Sequence, residues 1–215
     1  MAAFEPVDEA GVWGIELDVR WTKDWHPVVI HDADTRRVFD VDMVIAEVAL
    51  DELLRRVPQI PTLAQVIERF GGRIHLMVEL KHMVTANRER HTRRLEDMFS
   101  SLTAGEDYHF IALHVELFDL VGFAGENALL PVAEFNVQQF SRLALERKLA
   151  GISGQYLLLS NKIIQRHHLG KQKIGVGFPA SRFSFYRELN RGVDWIFTNH
   201  ALKLRSIQQD LLRDR

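Results

Sequence analysis

The chain has 215 residues, 47% of them hydrophobic and 26% charged, with a formal net charge of -2, the composition of an ordinary globular protein with a sizeable core. A balance so close to neutrality gives no global pull toward nucleic acid or an anionic membrane, so chemistry on a phosphate has to come from a local site. There is no cysteine, which removes disulfides, thiolate metal sites and cysteine nucleophiles together.

The opening MAAFEPVDEAG carries acids at Glu5, Asp8 and Glu9 and no apolar h-region, so no signal peptide is read there. No apolar run approaches the ~18 residues a membrane span needs. The expectation is a soluble, cytoplasmic protein without an integral membrane segment. An upstream extension carrying a signal would change the compartment.

Short strand-like runs alternate with helical stretches, which points to α/β architecture with parallel strands. A helix over 2–10 is followed by a strand over 12–19 (VWGIELDV), a second extended piece over 27–32 (PVVIHD) and a helix near 47–56. Pro61 and Thr62 before an apolar run mark another helix start. Next come a strand over 73–81 (RIHLMVELK) and a long polar helix over 85–102, whose arginines read as a solvated outer face rather than an RNA-binding arm. Strands over 109–114, 128–135, 154–159, 173–178 and 193–198 then alternate with helices over 116–124, 138–148, 160–168, 181–191 and 201–213. No linker, low-complexity tract or repeat divides the chain, so one domain over 1–215 is expected.

The core strands number seven, with PVVIHD left as an excursion. A (β/α)₈ TIM barrel has eight and usually takes about 250 residues. The expected fold is therefore a TIM-type barrel lacking its first strand, with two unpaired edges.

Side chains alternate faces along a strand. In GIELDV, Ile15, Leu17 and Val19 share one face while Glu16 and Asp18 share the other. In HLMVELK, Leu76, Val78 and Leu80 lie opposite Met77, Glu79 and Lys81. With the aliphatic faces against the outer helices, three carboxylates and an ammonium point inward. Unpaired buried carboxylates are costly, so they belong at the C-terminal mouth, sharing a cation. An all-oxygen donor set suits a hard ion, Mg²⁺ or Ca²⁺, and Lys81 offers a point charge to a phosphate oxygen.

The text around these strands reads GVWGIELDVRWTKDWHPVVIHDADTRRV, then LDELL, IPTLAQVIERF and VELK. It resembles the glycerophosphodiester phosphodiesterase family, densely over about residues 1–81, weakly in the middle, and again at GVDWIFTN (192–199). The resemblance implies Glu16, Asp18 and Glu79 as metal ligands, His31 as one of two catalytic histidines and Lys81 as a phosphate contact. It also implies metal-dependent hydrolysis of small-molecule glycerophosphodiesters to glycerol 3-phosphate and an alcohol. The family carries its other histidine and an arginine in a His-Arg-Gly ahead of the Met-Ala-Ala-Phe with which this chain begins, and a Pro-Glu-Asn-Thr between them. The expectation that follows is an inactive or impaired chain, with Met1 an internal methionine or the gene truncated.

His26, His82, His114, His167 and His168 read as surface or structural residues rather than replacements for the absent histidine. Glu134, Asn136, Tyr156 and Phe178 sit where they can shape a pocket without being assigned to catalysis. The alternatives to the leading function are a related, lysophospholipase D-like lipid phosphodiesterase and a non-catalytic relative that binds a phosphodiester or a protein.

Overall fold

The computed structural model describes residues 1–81 and 87–213. A short helix, α1 (Glu5–Glu9), leads into β1 (Gly14–Trp21) and β2 (Pro27–Val29), followed by α2 (Arg36–Phe39), α3 (Leu50–Arg56), α4 (Leu63–Phe70) and β3 (His75–Leu80). The chain continues through α5 (Arg88–Phe99), β4 (Tyr108–Ala112), β5 (Leu129–Ala133), α6 (Val137–Arg147), β6 (Gly151–Gln155) and α7 (Asn161–Leu169). It ends with β7 (Lys173–Gly177), α8 (Arg182–Arg191), β8 (Trp195–Phe197) and α9 (Ala201–Arg213). The sheet order is β2-β1-β3-β4-β5-β6-β7-β8, parallel throughout except for β2, which runs antiparallel beside the end of β1. Six of the seven parallel strands and the PVVIHD excursion thus stand where the periodicity put them, in a curled, TIM-type α/β fold.

The two faces of the sheet are sorted as the period-two pattern requires. Ile15, Leu17, Val19 and Trp21 are buried on β1, as are Leu76, Val78 and Leu80 on β3, and they pack on Leu63, Val66 and Phe70 of α4 and Leu95 and Phe99 of α5. Inside the curl a smaller core forms from Met77, Ile111, Leu130 and Ala150, with Val132, Trp195 and Phe197 against it. Thr62 caps α4 in a capping box with Gln65, which confirms the start signal at Pro61-Thr62.

At the N-terminal ends of β3 and β4, His75 and His109 are buried side by side. His75 Nδ1 lies 2.7 Å from the Glu106 carbonyl oxygen, and its Nε2 lies 2.8 Å from His109 Nδ1. The carbonyl only accepts, so His75 donates from Nδ1 and its Nε2 must accept from His109. Trp13 stacks on His75 at 4.2 Å and on Trp195 at 5.8 Å. Those rings bridge the seam between β1 and β8, where no strand pairing joins the sheet edges among the described residues. Arg205 of α9 adds a hydrogen bond from Nε to the Ala10 carbonyl, 3.2 Å.

Several elements differ from expectation. The strand expected over 154–159 lies at Gly151–Gln155, and the apolar YLLL run turns away, with Leu157 and Leu158 exposed. Small residues were the true signal: a Cβ on Gly154 would sit 2.7 Å from the Ala133 carbonyl oxygen, and one on Gly175 of neighbouring β7 would sit 2.7 Å from the Phe197 ring. The helix expected over 116–124 is two 3₁₀ segments, Val115–Leu120 and Gly122–Ala124, separated at Val121. The helix near 47–56 starts at Leu50 after a separate 3₁₀ turn, and the one expected over 2–10 is confined to Glu5–Glu9. His82 and residues 85–86 of the helix expected over 85–102 lie outside the described residues; of the rest, Arg88–Phe99 form α5.

Candidate active site

β1 and β3 are parallel neighbours in a register that sets Asp18 beside Glu79 and Glu16 beside Met77. Alternation then turns Glu16, Asp18, Glu79 and Lys81 to the inner face at the C-terminal end of the sheet. Glu16, Asp18 and Glu79 each offer a carboxylate oxygen, and these atoms lie within 4.8 Å of one another. Lys81 Nζ sits 2.8 Å from Asp18 Oδ1 and also contacts Glu79 Oε1. The Asp18 contact is an ion pair without hydrogen-bond alignment, so the buried Oδ1 keeps unused acceptor capacity.

Three acids against one ammonium leave the cluster negative, and the electrostatics show it. Enclosure by protein pushes the Glu16 carboxyl up to about 8, with Asp18 and Glu79 adding repulsion and Lys81 opposing it. Solvent still reaches Glu16 through the open mouth, so its enclosure is that of a concave wall rather than of a sealed core. Burial likewise raises Glu79 against the stabilising contact of Lys81. For Lys81, burial disfavours the charge, but the contacts with the Asp18 and Glu79 carboxylates outweigh it and raise its pKa. An all-oxygen acidic triad with spare acceptor capacity fits a hard divalent cation.

His31 follows β2 and faces the same cavity, a space of about 640 Å³ that Glu16, Glu79 and Lys81 also line. Its Nδ1 donates to Asp32 Oδ1 at 2.8 Å, which leaves Nε2 as the nitrogen that can take up a proton. Asp32 in turn accepts from Arg37 Nε at 2.5 Å, and Arg20 Nε donates to the His31 carbonyl at 2.8 Å. The Arg37 hydrogen bond, with that of His31, holds the Asp32 carboxyl down at about 2. Sequence reasoning named His31 but not Asp32, Arg37 or Arg20; the adjacent His-Asp pair was the available signal. It also passed over His200, which lines an adjoining cavity of about 610 Å³ together with Glu16.

The other histidines are placed as structural or surface groups. His167 is buried, with Nδ1 donating to Gln172 Oε1 at 2.7 Å and Nε2 accepting from Ser141 Oγ at 2.8 Å. His26 pairs with Asp24 at 3.3 Å, His114 with Glu116 at 3.5 Å and His168 with Asp194 at 3.0 Å. Glu134 and Phe178 line the main cavity. Tyr156 lies under the Arg187 guanidinium and Asn136 accepts from the Glu134 backbone.

A family model described as the glycerophosphoryl diester phosphodiesterase family matches residues 1–167. The chain belongs to this family. Among curated relatives, a glycerophosphodiester phosphodiesterase of Caldanaerobacter subterraneus is 36% identical over 93 residues, a match that spans 38% of this chain and 38% of the relative. The glycerophosphodiester phosphodiesterase structure from Thermotoga maritima superposes with a TM-score of 0.80 at 22% identity, covering 96% of this chain and 90% of the other. An Oleispira antarctica phosphodiesterase in complex with the product sn-glycerol-3-phosphate gives a TM-score of 0.80 at 18% identity, covering 95% of this chain and 88% of the other. At such identities the likeness is one of fold, and it agrees with the TIM-type sheet of this glycerophosphodiester phosphodiesterase family member. No described helix is long and apolar enough to cross a membrane.

Proposed function

We propose that this chain hydrolyses small-molecule glycerophosphodiesters to glycerol 3-phosphate and an alcohol, at a divalent cation, Mg²⁺ or Ca²⁺, held by Glu16, Asp18 and Glu79. The observation that carries the reading is the convergence of those carboxylates, within 4.8 Å of one another, with Lys81 and His31 on one cavity wall. Family membership and the product held by the Oleispira antarctica enzyme support the substrate class. When bound, the cation supplies charge neutralisation at the phosphoryl oxygens. Lys81 binds a phosphate oxygen as a point charge, and His31, oriented through Nδ1 by Asp32, moves a proton at Nε2 to or from the reacting oxygens.

Diester hydrolysis needs one group to activate the nucleophile and another to protonate the leaving alkoxide. Among the described residues His31 is the one histidine lining this cavity, so turnover is expected to be slow, by about the 10²–10⁴-fold that one acid–base group contributes. The same observation favours a second reading, a chain that binds a phosphodiester without cleaving it. Release of glycerol 3-phosphate from glycerophosphocholine, with and without Mg²⁺ or Ca²⁺, separates the two. Metal-stimulated release that disappears in Glu79→Gln supports the hydrolase. Metal-dependent binding of the diester with no release selects the binding module, and no interaction with metal or diester removes both.

A further inference from the structure

The near-neutral total charge hides a local imbalance. Between Arg147 and Arg187 the chain carries eight Lys and Arg residues and no Asp or Glu, so all 29 of its acids lie elsewhere. That stretch builds β6, α7, β7 and most of α8, a continuous sector of the curl whose field draws anions. At the end of the sector where the strands begin, Asp194 answers Lys173 at 2.9 Å and His168 at 3.0 Å. At the end where they finish, the cations are set among exposed apolar side chains instead.

β6 and β7 are hydrogen-bonded neighbours, and the Tyr156 amide donates to the Gly177 carbonyl at 2.9 Å, so the segments that follow the two strands emerge side by side. They present Leu157, 61% exposed, Phe178, 67%, and Phe183, 87%. Single exposed apolar residues are ordinary, but a group of them on neighbouring segments marks an interaction surface. Cations are fastened to the same segments. Lys203 Nζ donates to the Ala180 carbonyl at 3.2 Å, the Arg182 guanidinium covers Tyr186 at 5.1 Å, and that of Arg187 covers Tyr156 at 5.4 Å. Lys162, exposed in the first turn of α7, adds a fourth. Glu188, the acid that ends the basic stretch, is wholly buried and turned to Arg191 at 2.7 Å, with Arg187 at 3.4 Å.

We propose that this edge of the fold docks reversibly on an anionic lipid surface. Leu157, Phe178 and Phe183 enter the interface, and Lys162, Arg182, Arg187 and Lys203 meet the headgroups. Apolar tips ringed by cations combine the two attractions that interfacial binding uses, buried apolar area and charge. A nucleic acid would match the cations but would leave the aliphatic Leu157 against water, so lipid fits the whole set. Glu16, Asp18 and Glu79 stand on β1 and β3, across the cavity from β6 and β7, and so keep their charge away from the headgroups. Docking goes beyond the diester-hydrolase reading and does not depend on it.

Because the chain has no cysteine, one introduced thiol is a unique labelling site. Phe183→Cys carrying an environment-sensitive fluorophore should brighten and shift to shorter wavelength on phosphatidylcholine vesicles containing phosphatidylglycerol, and respond far less on phosphatidylcholine alone. The same label on Leu169→Cys, at a position 88% exposed at the far end of α7, should stay unchanged. In vesicle flotation of the unlabelled full chain, Arg182→Gln/Lys203→Gln should weaken partitioning about 25-fold, roughly fivefold for each cation removed. Phe183→Ser should weaken it about tenfold, and salt raised from about 0.05 to about 0.5 M should release the parent chain. Failure of the parent chain to bind phosphatidylglycerol vesicles overturns the inference, as does binding that neither variant weakens. An equal response from the Leu169→Cys label assigns the contact to another face and also overturns it. Capture of a single-stranded RNA oligomer without vesicle binding gives the basic sector to nucleic acid and overturns it too.

Discussion

His31 has its proton geometry settled by neighbours rather than by its own position. Asp32 fixes which nitrogen carries the hydrogen, Arg37 fixes Asp32, and Arg20 fixes the backbone beneath them. His31→Ala should lower kcat for glycerophosphocholine about 10²–10⁴-fold while leaving Ca²⁺ binding intact, as measured by calorimetry. Asp32→Asn should lower kcat by less, because the histidine stays in place and loses only its orienting carboxylate. An unchanged kcat in His31→Ala would take His31 out of the chemistry. Glu79→Gln separates the roles from the other direction, since it removes one charge from the triad and should abolish cation binding. The residue types here were readable from the sequence. Their second partners were not, because Arg37 reaches Asp32 only through the turn of α2.

At the scale of elements, the buried contacts between strands and helices carry consequences that pH and mutation can expose. Burial pushes His109 down to about 4, with repulsion from His75 adding, and burial lowers His75 as well. A histidine depressed in the folded state binds fewer protons than its unfolded counterpart between the two pKa values, so stability rises with pH across that window. The stability of the pair is thus complete above about 6.5 and is lost as pH falls toward 4. The loss from His109 is roughly 2–3 kcal/mol, seen as a falling denaturation midpoint that His109→Gln should flatten.

Arg191 closes α8 onto the loop after β6. It donates to Glu188 Oε2 at 2.7 Å, to Asn161 Oδ1 at 2.7 Å, and to the Tyr156 and Leu159 carbonyls. Because the Glu188 side chain is fully buried and would keep only the half-exposed Arg187 at 3.4 Å, Arg191→Met should destabilise the chain by about 3–5 kcal/mol in denaturant unfolding, the cost of breaking a buried ion pair. A loss below about 1 kcal/mol would place the pair among ordinary surface ion pairs.

The whole molecule is a curled parallel sheet with a seam. β8 is three residues long and hydrogen-bonds to β7 alone, while β3, β4 and β5 have a strand on both sides. Local opening follows such differences in contact, so amide hydrogens of β8 should exchange faster than those of β3 to β5. Equal protection would mean that the Trp13–Trp195 stack and the α1–α9 contact close the seam as firmly as a strand would. The seam borders the carboxylate wall through Glu16, which lines both cavities.

Strand number, the order of elements and the inward pairs of β1 and β3 followed from the sequence, because alternation is a local property of extended chain and needs no tertiary partner. That is why Glu16, Asp18, Glu79 and Lys81 could be chosen before any coordinates. The position of β6 was not legible, since its small residues are selected by the close approach of the β5 and β7 backbones rather than by their own strand preference. Phe178 could be placed at the pocket because it ends a strand, whereas Phe135 could not, and only the curl of the sheet brings both opposite the acids. Local patterning determined which groups face inward. The register between distant strands decided which of them meet, because that register is set by packing across the whole sheet.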